Sequence, residues 1–98
     1  MKIRDIEEFE LRSQLSDNIK LALEFNSQSA DASDIEKLVK QFAGALKAKF
    51  KEMDLEDVEK GIKNGLYSGD YTWVNARILV TWTRQKWLSV LEKKRFVN

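Results

Sequence analysis

The chain has 98 residues, 34% of them charged and 43% hydrophobic, and its 17 Lys and Arg against 16 Asp and Glu leave a net charge of +1. That size suits one domain with one core, and that balance gives no whole-molecule reason to expect a nucleic-acid or membrane partner. Cysteine and histidine are both absent, which excludes disulfides, thiolate chemistry, zinc-finger ligation and the usual general base.

Proline is absent too. Proline breaks helices by removing a donor and crowding the preceding turn, so a proline-free chain rich in Lys, Glu, Leu and Ala is expected to be all-α. The expected architecture is a single domain over residues 1–98, a small bundle of four to five helices with no sheet. No apolar run approaches the ~20 residues that span a bilayer, and the charged start MKIRDIEEFELR is unlike a signal peptide. A cytoplasmic location without a membrane partner is therefore the expectation.

Residues 2–26 read as one bent element broken near Ser13 to Ser16. Its first part, a helix over 2–12 with Ile3, Ile6 and Phe9 on one face, is expected to pack loosely; Leu15, Ile19, Ala22, Leu23 and Phe25 follow. The polar stretch Asn26 to Asp31 reads as a loop. Ser33-Asp34-Ile35-Glu36 then has the form of a capping box. Behind it Ile35, Leu38, Val39, Phe42, Leu46 and Phe50 keep helical spacing, interrupted by Gly44, for which a close helix crossing is the expected reason. Asp54 is the next expected cap, with Met53 and Val58 as a hydrophobic staple and Asn64-Gly65 as the stop. Leu55, Val58, Ile62 and Leu66 form its buried stripe, and Tyr67 to Asp70 read as a turn. Thr72 is expected to cap a last helix that runs to about Lys94, leaving a flexible basic tail over 93–98.

The last helix is the densest apolar segment, WVNARILVTWTRQKW, and holds all three tryptophans and no acid. Val74, Ile78 and Trp82 share one face, and Ala76, Leu79 and Val90 another. A helix apolar nearly all round is usually buried, so this one is expected to be the central pillar of the bundle. On a third face Trp73, Arg77, Val80, Arg84, Trp87 and Leu91 interleave arginine with aromatic and aliphatic groups. One reading makes this face a surface that stacks bases or grips an acidic partner. The preferred reading is internal, with the arginines lying along the tryptophan rings and pairing with the acidic start of the preceding helix, Glu52 to Glu59.

Charge is segregated along each helix, acids in first turns and bases in last turns, as the macrodipole favours. Glu36–Lys40, Glu56–Lys60 and Glu59–Lys63 are spaced as ion pairs. Lys47, Lys49 and Lys51 would form a basic patch with Lys93, Lys94 and Arg95 if those ends meet. Phosphate-loop, dinucleotide and metalloprotease motifs are missing, so no enzyme activity, cofactor, metal or small-molecule substrate is expected.

Phe50, Met53-x-Leu55-Glu56, Gly65-x-Tyr67-Ser68-Gly69 and the following hydrophobic helix with Trp82 resemble small all-helical accessory proteins of phages and mobile elements, found near replication or packaging functions. The resemblance covers about two-fifths of the chain. It implies a helical accessory factor of a DNA-handling complex, in the host cytosol, and assigns no functional residue. Two functions follow as expectations. The first is a protein-interaction or assembly module, docking a protein or a second copy through Trp73, Arg77, Arg84, Trp87 and Phe96. The alternative is nucleic-acid binding by a helix-turn-helix-like pair, residues 54–64 and 72–91. There Asn75, Arg77, Thr81 and Arg84 would face the bases and Lys93, Lys94 and Arg95 the phosphates.

Overall fold

Leu11, Leu15, Ile19, Ala22 and Leu23 recur at helical spacing and put one buried stripe on α1, Glu8–Phe25. Val39, Phe42, Ala43 and Leu46 do the same on α2, Ala32–Lys49, and these stripes face each other in the core. The computed structural model describes residues 1–68 and 73–97, with side chains as far as Arg95. It adds α3, Leu55–Tyr67, and α4, Ala76–Val97. The fold is all-α, with four α-helices and one short 3₁₀ turn, Ile3–Asp5, among the described residues.

The helices form two antiparallel hairpins, α1–α2 and α3–α4. Asn18 Nδ2 donates to Glu59 Oε2 at 3.0 Å, and the Phe25 and Tyr67 rings meet edge to face at 5.2 Å, so α1 runs parallel to α3. Residues 34–41 of α2 lie beside 73–76, and 41–49 beside 76–84, so α2 runs parallel to α4. Between α3 and α4 the helices approach closely: a Cβ on Gly61 would lie 3.0 Å from Lys86 Cβ, and one on Gly65 would overlap the Trp82 indole. The stop expected at Asn64-Gly65 is thus a packing site, and α3 continues to Tyr67. Gly44 is not a crossing point, since nothing lies within 4 Å of its Cβ position.

At the N-terminus the expected helix over 2–12 is replaced by the 3₁₀ turn and the first turn of α1. This segment is not loose: Ile3, Ile6 and Leu11 are buried. Its backbone is held by Ile3 N–H to Met53 O at 2.9 Å, Arg4 N–H to Lys51 O at 2.9 Å and Leu55 N–H to Met1 O at 3.0 Å. The break falls at Ile6-Glu7 rather than at Ser13 to Ser16, where α1 is continuous. α2 starts earlier than the capping box suggests, because the Asp31 carboxylate accepts from Asp34 N–H at 2.8 Å. α1 ends in a Schellman motif, with Gln28 N–H to Leu23 O and Ser27 N–H to Glu24 O. Ser27 takes the left-handed conformation (φ 53°) that glycine usually fills there.

The largest departure concerns α4, which is a flank and not the pillar. Of its described side chains only Leu79 and Thr83 are buried; Ile78, Trp82 and Val90 are half-buried. The centre belongs instead to α1, α2, α3 and the N-terminal turn. The expected cap Thr72, and Gly69 and Asp70 of the expected turn, lie outside the described residues, while Tyr67 and Ser68 are the last residue and the C-cap of α3. The expected tail is, as far as Val97, the last turn of α4. No helix among the described residues is long and apolar enough to cross a membrane.

Candidate functional site

The entry to α4 is positioned by a residue far away in sequence. The half-buried Gln28 side-chain amide donates from Nε2 to Val74 O at 2.9 Å and accepts from Val74 N–H at 2.8 Å. It acts as a strand-like partner for one residue, satisfying both backbone groups of Val74. Val74 is buried by this clamp, and Trp73 beside it is left 64% exposed. Asn75 Oδ1 then accepts from Ile78 N–H at 2.9 Å, capping α4.

The first half of α4 borders a groove against α2. Its walls are Gln41, Ala45 and Lys49 on one side and Ala76, Arg77, Val80, Thr81 and Arg84 on the other, with a volume of about 450 Å³. Among the described residues no carboxylate lines it, and Lys49, Arg77 and Arg84 are exposed. No ion pair to any of these three cations occurs among the described residues. Thr81 is half-buried, its hydroxyl donating to Arg77 O at 3.0 Å.

The second half is open for a geometric reason. Lys49, where α2 ends, lies level with Arg84, so beyond it α3 is the one helix left alongside. The side turned away from α3 carries Arg84, Leu88, Leu91 and Arg95, spaced four, three and four apart. Leu88 is 58% and Leu91 41% exposed. Trp87 packs partly on the core, with the Lys94 ammonium 6.0 Å from its ring centroid.

The expected site residues therefore separate. Trp73, Arg77 and Arg84 reach solvent, while Trp87 is half-buried and Phe96 lies outside the described side chains. Asn75 uses its oxygen as a cap, and Lys93, Lys94 and Arg95 are exposed on the last turns of α4. The internal pairing of the arginines does not form. An antiparallel hairpin sets the acidic start of α3 beside the end of α4, far from Arg77, and Glu52 is met instead by Arg4 at 2.8 Å and Lys2 at 3.4 Å. Of the expected lysine patch, Lys47 turns to the Ile6 carbonyl and Lys49 lines the groove with Arg77 and Arg84. The three expected lysine ion pairs are absent among the described residues, where Glu8–Arg12 is the i,i+4 pair found. The register of Gly61 on Lys86 and Gly65 on Trp82 makes α3 and α4 an aligned hairpin, unlike the wide crossing of a helix-turn-helix.

Gln28, Gln41 and Leu88 are the members that sequence reasoning missed, and Lys49, expected in a patch with the C-terminal bases, lines the groove instead. Leu88 had a signal, being four from Arg84 and three from Leu91; Gln28 had none, since nothing local ties a loop glutamine to residue 74. Comparison with protein-family models, with curated proteins and with solved structures finds no match to this chain.

Proposed function

We propose that this chain is a non-enzymatic helical assembly module that self-associates, and that it serves as an accessory component of a phage or mobile-element complex handling DNA. The observation that carries the reading is the pair Leu88 and Leu91, exposed between Arg84 and Arg95 where no second helix covers α4. Aliphatic side chains flanked by Arg84 and Arg95, neither of which is in an ion pair among the described residues, favour an acidic apolar partner over bulk water.

The chain carries such a partner itself. Glu7-Glu8-Phe9-Glu10 opens α1 with Phe9 80% exposed and flanked in sequence by carboxylates, of which Glu8 is paired with Arg12. The depression that Phe9 lines also holds Lys20, Lys37 and Lys40. Pairing α4 with itself antiparallel would set Arg84 against Arg95, a like-charge contact, whereas α4 against the start of α1 joins opposite charges. A net charge of +1 leaves little long-range repulsion between copies. Light scattering across a concentration series tests this. The expected result is a mass above that of one chain, falling as salt rises, and reverting to one chain in Leu88→Glu or in Phe9→Glu. Both positions are exposed, so both variants should fold. A strict monomer at millimolar concentration, or association untouched by either variant, overturns the reading.

A further inference from the structure

We infer that the groove between α2 and α4 is a binding site for single-stranded nucleic acid, adjoining the surface proposed for self-association at Arg84. Among the described residues the groove presents Lys49, Arg77 and Arg84 with no carboxylate on its walls, and none of the three is in an ion pair there. Arg77 and Arg84 are two turns apart on one helix, ~10 Å, and Lys49 stands across from them. Between the cations the walls are Ala45, Ala76, Val80 and Thr81. These small side chains leave no deep apolar pocket of the kind that anchors a peptide.

At the head of the groove stands Trp73, 64% exposed and held there by the Gln28 clamp on its neighbour Val74. The depression that Trp73 lines shares Gln41 and Ala76 with the groove, so the two are continuous. A flat ring at one end and a row of cations behind it is the arrangement that stacks a base and tracks a phosphodiester backbone. Gln41, with an amide that both donates and accepts, sits between them. Asp34 lines the far side of the Trp73 depression and bounds the cationic run there. The footprint is therefore short, two or three nucleotides. A duplex does not fit the reading, because stacking on Trp73 needs an unpaired base.

The test is fluorescence anisotropy of a labelled 12-residue oligothymidylate, with a duplex of the same length and a polyglutamate peptide as comparisons. The expected result is binding at low salt whose log affinity falls with log salt at a slope of about −2, for three phosphates engaged on a single strand. Arg77→Gln with Arg84→Gln should weaken it tenfold or more, and Lys60→Gln with Lys63→Gln on α3 should leave it unchanged. Trp73→Ala should cost about fivefold or more for the oligonucleotide and nothing for polyglutamate. Circular dichroism confirms that each variant folds, all of these side chains being exposed. No binding at low salt, binding indifferent to the arginine pair, duplex bound as tightly as the single strand, or polyglutamate bound as tightly as the oligonucleotide each overturns the assignment.

Discussion

Gly65 is glycine because the Trp82 indole occupies the place where a side chain would begin. Gly61, one turn earlier, has Lys86 Cβ and the Trp82 carbonyl at 3.0 and 3.3 Å from where its Cβ would stand. These two positions set how closely α3 and α4 approach, and with that how far the outer side of α4 is turned to solvent. Gly44 is the opposite case, an exposed glycine in mid-helix with open space around it. Alanine at 44 should raise stability by about 0.5–1 kcal/mol, since it removes backbone freedom from the unfolded chain without touching anything. Alanine at 65 should lower it by ~1–3 kcal/mol through forced displacement of the Trp82 ring. Urea unfolding of the two variants checks both signs; equal shifts in the same direction would contradict the packing described.

At the scale of elements, the N-terminal turn is fastened to the start of α3 by backbone bonds and by charge. Desolvation pushes the Glu52 carboxyl upward, but the Lys2 hydrogen bond and the charges of Arg4 and Lys2 outweigh it and hold it below its ordinary 4.5. Glu56 is lowered as well, first by a hydrogen bond from its own backbone and then by the Met1 amino group. A carboxyl with a lower value folded than unfolded adds stability that is whole above the ordinary value and is lost as pH falls through the folded one. The urea midpoint should therefore fall below about pH 4.5. Glu52→Gln should start lower at neutral pH and fall less steeply, and a variant as steep as the parent would show that this contact carries no proton linkage. Both groups are exposed, so the effect is small and screened by salt.

The elements also show what was legible in the sequence. Helical type followed from composition, and the stripes of α2 and α3 and, apart from the exposed Phe9 and Phe25, that of α1 followed from spacing, because each of these helices buries one face and period identifies it. α4 defeated the same rule. Its apolar residues run all round because it meets α3 on one side and α2 on another and leaves a third aliphatic strip uncovered, a pattern indistinguishable in one dimension from full burial. The caps misled for a local reason: Asp31 outcompeted Ser33, and Asn75 acts as a cap although it had been expected to face bases. The Gln28 clamp and the Lys49–Arg84 adjacency arise only from tertiary folding.

Across the whole molecule, Cα extents of 45 × 33 × 17 Å describe a flat body, its thin dimension about two helix layers. Two hairpins laid parallel leave α4, ~33 Å long at 1.5 Å per residue, longer than α3 at ~20 Å. By the register of Gly61 on Lys86 and Gly65 on Trp82, Leu88 and Leu91 lie in the part of α4 that runs beside α3 and past the end of α2. The acidic start of α1 and the basic end of α4 lie at the same end of the bundle and give one chain two unlike, complementary surfaces. Since the chain has no cysteine, the most direct measurement is oxidative cross-linking of Phe9→Cys mixed with Leu88→Cys. The expected result is a disulfide-linked heterodimer of the two variants in excess over either homodimer. Absence of that heterodimer, or a dominant Leu88→Cys homodimer, would contradict α4 meeting α1 of a second copy.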